Sequence, residues 1–159
     1  MKNSQVLEYE PKHIEAYDFR LAMEEASRCL LCEDAPCSKG CPSGTDPAKF
    51  IRSIRFNNVN GAAETIRNNN ILGSVCALVC PTERLCQQAC TRASIDRPIE
   101  IAKLQYYAME HERLANKTFL RKMDTYSDKK VACIGAGPAS LACAAELAKQ
   151  GVQVTIYDE

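Results

Sequence analysis

The sequence predicts a mostly α chain that binds metal in its first two thirds and then runs into the start of an α/β, Rossmann-type βαβ unit. Three observations predict it. Eight of the ten cysteines fall into two tight quartets, Cys29, Cys32, Cys37, Cys41 and Cys76, Cys80, Cys86, Cys90. Apolar residues recur at helical spacing between Phe19 and Leu114. Val131 to Tyr157 then reads as strand, glycine turn, helix, strand.

Taken in order, Phe19 to Arg28 is a helix with Phe19, Ala22, Met23 and Ala26 on one face, leading straight into Cys29. The cysteine loop that follows is rich in Pro, Gly and Ser. Asp46 is an N-cap candidate with Pro47 at the first helical position, and Phe50, Ile51 and Ile54 line one face of a helix ending near Phe56. Asn60 is placed to cap the next, Gly61 to about Asn68, which carries Ala62, Ala63 and Ile66. Leu72 to Cys90 reads as short helical turns carrying the second quartet, and Pro98 opens the longest helix, to about Leu114. Ile101, Leu104, Ala108 and Met109 form its apolar stripe. Gln105 sits within that stripe. A buried amide needs partners, so Gln105 is either bonded to a neighbouring loop's backbone, the simpler reading of the periodicity, or given a special acceptor.

The first quartet reads Cys-x2-Cys-x4-Cys-x3-Cys-Pro, a longer relative of the bacterial ferredoxin run Cys-x2-Cys-x2-Cys-x3-Cys-Pro. Thiolates are soft, charged ligands, and short gaps let one loop wrap several of them around a single core. Disulfides fit less well, because Met1 to Pro11 has no apolar leader core and ten cysteines in 159 residues fall below the density of small secreted scaffolds. Inert buried thiols do not account for two clustered quartets, each with a Cys-Pro step at Cys41-Pro42 and Cys80-Pro81. Two four-thiolate zinc sites remain a rival. The Cys-Pro steps and unequal gaps favour iron-sulfur.

Twenty basic and twenty acidic residues leave no net charge, which argues against nucleic acid and acidic membrane surfaces as partners. Val131 to Ala145, an uncharged stretch as long as any in the chain, is shorter than the roughly 20 residues a bilayer span requires and is broken by Gly135, Gly137 and Pro138. The expectation is a soluble, cytoplasmic chain. His13 and His111 read as solvent-facing and receive no role, and no catalytic acid, base or nucleophile is visible.

Past Asn116 a polar connector leads to the strand Val131 to Ile134, the turn Gly135-Ala136-Gly137-Pro138-Ala139-Ser140, an Ala-rich helix to about Gln150 and the strand Val152 to Tyr157. Gly135 permits the tight turn, Gly137 lets backbone approach a pyrophosphate at the positive helix N-terminus, and Asp158 is placed to accept from a ribose hydroxyl. Ser140 replaces the third glycine of the fingerprint. Cys133 and Cys143 read as core residues. One βαβ unit cannot cover both faces of a sheet, so residues 129–159 read as the first, incomplete part of a nucleotide domain. On its own this part should bind flavin or nicotinamide weakly or not at all, and the chain is expected to be the N-terminal piece of a longer polypeptide.

With these residues in view, the sequence resembles the N-terminal iron-sulfur segment of the dihydropyrimidine dehydrogenase family, in particular its bacterial NAD-dependent subunits, within a wider set that includes glutamate synthase small subunits. The carriers are Arg28 to Cys41, Asp46 to Ile54, Gly61 to Ile66, Leu72 to Cys90, Pro98 to Gln105 and the turn from Gly135. Glutamate synthase small subunits typically have Gly-Ile-Pro-Phe where this chain has Glu33-Asp34-Ala35-Pro36. The resemblance implies an α-helical ferredoxin-like domain over residues 1–115 with two [4Fe-4S] clusters, a connector at 116–128 and the first βαβ unit of an FAD-binding domain at 129–159. It assigns Cys29, Cys32, Cys37 and Cys90 to one cluster, and Cys41, Cys80, Cys86 and Gln105 to the other, leaving Cys76 unligated. It further implies FAD at Gly135, Gly137, Pro138, Ala139, Ser140 and Asp158, NAD(P)H bound outside this chain, and electrons passed to an FMN-containing subunit or domain that reduces pyrimidines. A glutamate synthase-like module and a non-redox zinc-binding interaction domain are the alternatives.

Overall fold

The structure, a computed structural model, describes residues 15–120, 123 and 126–159. Met1 to Pro11 and His13 therefore lie outside the described residues. Seven helices and two strands appear among them: α1 (Phe19–Ser27), α2 (Pro36–Lys39), α3 (Pro47–Arg55), α4 (Val59–Asn69), α5 (Gly73–Val79), α6 (Ile101–Leu114), β1 (Lys130–Ile134), α7 (Pro138–Lys149) and β2 (Gln153–Tyr157). Two 3-10 turns, Thr82–Arg84 and Thr91–Ser94, lie between α5 and α6.

Side-chain caps set where several helices begin. Asp18 accepts from Leu21 N at 2.7 Å to start α1, and Asp46 accepts from Lys49 N at 3.0 Å to start α3 behind Pro47. Each such cap satisfies a backbone donor that has no partner within its helix. At α4 the cap is Asn58, not Asn60, with its Oδ1 taking Gly61 N at 2.9 Å. Left-handed Asn57 (φ 58) ends the previous turn, so the cap falls two residues before Asn60 and the helix starts at Val59. The longest helix also starts later than Pro98, at Ile101, because Ile99 is drawn into the core.

Helices α1, α3, α4 and α6 enclose one core, in which Phe50, Ile51, Ile54, Ile66, Ile99, Ile101, Leu104 and Met109 are fully buried. Burial of each such side chain contributes about 1.5–3 kcal/mol. Helix α5 lies against α6. Gly73 makes that approach possible: a Cβ there would stand 2.5 Å from Ile66 Cγ2 and 2.9 Å from Met109 Sδ. A buried carboxylate ties α1 to the entrance of α6, for Glu25 accepts from Arg28 at 2.6 Å, Arg97 at 2.8 Å and Glu100 N at 2.9 Å. Glu112, also buried, pairs with Arg67 Nε at 2.7 Å across α4 and α6.

Strands β1 and β2 pair in parallel with Lys130 opposite Gln153 and Ile134 opposite Tyr157, and α7 crosses between them as the sequence predicts. Cys133 is buried, but Cys143 is exposed. Ala144 turns toward the sheet, and its neighbour lies about 100° around the helix. His111 is likewise not simply solvent-facing, because its Nδ1 is buried with no hydrogen-bond partner among the described residues.

Candidate metal centre

Two cavities hold the quartets, and each draws thiols from both stretches of chain. Cys29, Cys32, Cys37 and Cys90 line the first, with Ile51, Ile99 and Ile101 behind them. Cys41, Cys76, Cys80, Cys86 and Gln105 line the second.

The crossing has identifiable causes. Cys29 follows the last turn of α1, where its N–H donates to Ala26 O at 3.1 Å, and Arg55 from the end of α3 holds its carbonyl at 2.7 Å. Arg92 donates to Arg28 O at 3.2 Å, and Cys32 Sγ meets Thr91 Oγ1 at 3.5 Å. These contacts stitch the 3-10 turn after Cys90 onto the first loop, which brings Cys90 into the first cavity. Pro36 starts the short α2, a turn the spacing did not reveal, and α2 carries Cys37. Gly40 then lies against the second loop so closely that a Cβ would meet Ala89 Cβ at 3.0 Å and Leu85 O at 3.2 Å. That contact delivers Cys41 to Cys86.

In the second cavity, Cys76 rides on α5, Cys80 caps its end and Cys86 lies buried beyond the first 3-10 turn. The Gln105 amide nitrogen donates to Gly73 O at 2.7 Å. The backbone bond expected of this amide is therefore present, with Gln105 half-buried. With the nitrogen so committed, the oxygen is the end left for the cavity. Asn70 Nδ2 reaches Cys76 Sγ at 3.2 Å, a contact that no spacing or motif announces.

All ten thiols are free. Burial, followed by the neighbouring Cys90 and Cys29, pushes Cys37 up to about 11. Burial and Cys76 push Cys80 up to about 11, and burial and Cys41 do the same to Cys86. Cys41 is the exception: burial pushes it up, but hydrogen bonds from Ser43 and Thr45 outweigh burial and bring it below the ordinary thiol range. Cys37, Cys80 and Cys86 prefer the neutral form until a metal displaces their protons. Their folded values of about 11 lie above the unfolded value of about 8.5, so the stability these three contribute is whole below that pH and is lost as pH rises toward 11. Reduced protein stripped of metal by a chelator is expected to show a melting temperature that falls between about pH 8.5 and 11. A flat melting temperature across that window would show that the thiols are not held this way.

Thiolates, joined by one amide oxygen in the second cavity, are donors that an iron-sulfur cluster accepts, and a cubane presents four separate irons to them. The second cavity holds about 100 Å³ and the first about 20 Å³, so the first is the tighter of the two in this structure.

At the other end of the chain, Gly135 has φ 86 and Gly137 precedes α7 with nothing within 4 Å of where a Cβ would stand. Pro138, Ala139 and Ser140 form the first turn of α7, where backbone N–H groups have no partner within the helix. Asp158 Oδ1 accepts from Ala136 N at 3.1 Å, which fixes its carboxylate beside the glycine turn. This open cradle has the polarity a pyrophosphate requires. Among the described residues no helix is long and apolar enough to cross a membrane.

Comparison with known proteins adds to this geometry. Residues 8–117 match the model of a family described as dihydropyrimidine dehydrogenase domain II, 4Fe-4S cluster, and residues 133–159 match an NAD(P)-binding Rossmann-like domain. The chain is 56% identical over 144 residues to the NAD-dependent dihydropyrimidine dehydrogenase subunit PreT of Escherichia coli (strain K12), covering 91% of this chain and 35% of that protein. It is 56% identical over 139 residues to the PreT homolog of Salmonella typhi, covering 87% of this chain and 33% of that protein. The chain thus spans about a third of the length of the curated relatives it matches.

Proposed function

The chain belongs to the dihydropyrimidine dehydrogenase domain II, 4Fe-4S cluster family, and from that premise we propose that it is the electron-input part of an NAD(P)H-dependent dihydropyrimidine dehydrogenase that serves an FMN-containing, pyrimidine-reducing partner. The observation that carries this reading is the partition of the thiols, with Cys90 beside Cys29, Cys32 and Cys37, and Cys41 beside Cys80 and Cys86. It supports ligation across the quartets: Cys29, Cys32, Cys37 and Cys90 would hold one [4Fe-4S] cluster, and Cys41, Cys80, Cys86 and Gln105 the other. Bound there, the two clusters supply one-electron storage and transfer between a flavin and the partner.

The chain's own residues set the conditions for that transfer. Ile51, Ile99 and Ile101 keep water from the first site. Arg55 and Arg92, bonded to the carbonyls of Cys29 and Arg28, place positive charge beside its four thiolates. In the second site the neutral Gln105 oxygen replaces one thiolate, so that site carries one negative charge fewer. Gly135, Gly137, Pro138, Ala139, Ser140 and Asp158 would seat FAD, with the pyrophosphate at the α7 N-terminus and Asp158 toward the ribose. We assign residues 1–115 to the cluster domain, 116–128 to a connector and 129–159 to the first unit of the flavin domain, with NAD(P)H bound outside this chain in a cytoplasmic enzyme.

The names of the relatives favour pyrimidine over glutamate chemistry for this module, and the description of the matching family, a 4Fe-4S cluster domain, favours iron-sulfur over zinc. Protein purified without oxygen should be brown, lose visible absorbance on reduction, and contain about eight iron and about eight labile sulfide per chain. A colourless chain with two zinc ions would overturn the proposal.

A further inference from the structure

The second cavity has more donors than a cubane has corners. Cys41, Cys76, Cys80 and Cys86 are four thiols, and Gln105 adds a fifth group. The surplus donors lie on one wall. Gln105 is anchored to the carbonyl of Gly73, the first residue of α5. Cys76 follows Gly73 by a single helical turn, about 4.5 Å along the axis. The tight seat of Gly73 against Ile66 and Met109 fixes that wall in place. Cys76 is also held rather than loose: Asn70 Nδ2 donates to its sulfur at 3.2 Å, while Asn70 Oδ1 takes Leu72 N at 2.9 Å.

We propose that Cys76 is a stand-by ligand of the second cavity, able to take the corner that the Gln105 amide leaves. This rests on the reading of that cavity as a cluster site with Gln105 at its fourth corner. In the exchange the iron–oxygen bond to Gln105 breaks, an iron–sulfur bond to Cys76 forms and the thiol proton goes to solvent, with no electron gained or lost. The site gains one negative charge and its reduction potential falls. Asn70 acts through Cys76 as a positioning residue.

The test uses the full chain, purified without oxygen, as Cys76→Ser, Gln105→Leu, the double variant and Gln105→Glu/Cys76→Ser. Iron and labile sulfide are counted and the midpoint potentials measured, with the first cavity's cluster and the helical circular-dichroism signal as folding controls. Cys76→Ser is expected to keep all its iron. Gln105→Leu is expected to keep it too but with one potential shifted negative, and the double variant is expected to lose half. Gln105→Glu/Cys76→Ser, which retains an oxygen ligand, is expected to keep its iron. If Gln105→Leu alone loses as much iron as the double variant, Cys76 does not step in and the inference fails while the assignment of Gln105 stands. If Cys76→Ser alone empties the second cavity, Cys76 is the standing ligand, and both the inference and the assignment of Gln105 fall.

Discussion

Replacement of Cys37 by serine is expected to remove about half of the iron and labile sulfide, about four of each per chain, and to make the first cavity's loops the earliest part of the chain to unfold. Cys37 sits on α2 with its thiol among Cys29, Cys32 and Cys90, and among the described residues no fifth cysteine lines that cavity to replace it. A serine hydroxyl is a poor substitute for a soft thiolate. The loops would then lose the binding energy that holds them around the metal. Cys76→Ser should leave the iron count unchanged, because the second cavity retains three thiols and the Gln105 oxygen. Iron and sulfide analysis of the two variants side by side checks this. Equal losses would show that Cys76 is itself a ligand and that the ligand assignment with Gln105 at the fourth corner is wrong.

Glu25→Ala is expected to destabilise the chain by about 3 kcal/mol, read as a lower urea midpoint. Its carboxylate is only 4% exposed and gathers Arg28, Arg97 and Glu100 N. Removal leaves those donors without their acceptor in a partly dry site. The cost stays near the low end for a broken buried pair because the Arg97 side chain is 54% exposed and can turn to water. Arg28 is less free. It also holds Asp96 at 3.1 Å, and Asp96 is kept well below the usual carboxylate range by Arg92, the Arg97 N–H and Arg28. Since Arg92 clasps the Arg28 carbonyl next to Cys29, loss of Glu25 should also speed iron loss to a chelator. Glu25→Gln retains one acceptor oxygen and should do less on both counts. An unchanged urea midpoint for Glu25→Ala would mean that this cluster of charges does not hold α1 to α6.

Much of this was legible in the sequence wherever a local signal fixed a local structure. Asp46-Pro47 announced α3, the Phe50, Ile51, Ile54 face announced its buried side, and the glycine turn between two apolar strands announced the parallel pair. The misplaced features depend on longer-range contacts. Asn58 and Asn60 are equally good caps by type, and only the left-handed turn at Asn57 chooses between them. Pro98 is a fair helix start, but the burial of Ile99 delays it to Ile101. An Ala-rich helix such as α7 has little periodicity, so the exposure of Cys143 was not readable. The crossing of the quartets was least legible of all, since short gaps alone favour each quartet closing on itself. Contacts across more than forty residues, from Arg92 to Arg28 O and from Gly40 to Ala89 and Leu85, and not spacing, carry Cys90 to the first loop and Cys41 to the second. The place of Gln105 was suggested by family resemblance, and its anchor on Gly73 supplies a physical reason.

The most direct measurement is iron anomalous diffraction from crystals of the protein purified without oxygen. It should place two four-iron centres, one ringed by Cys29, Cys32, Cys37 and Cys90, the other by Cys41, Cys80, Cys86 and Gln105. Iron bound within a single quartet, with Cys41 beside Cys29 and Cys90 beside Cys80, would contradict the account, as would lone ions in place of clusters.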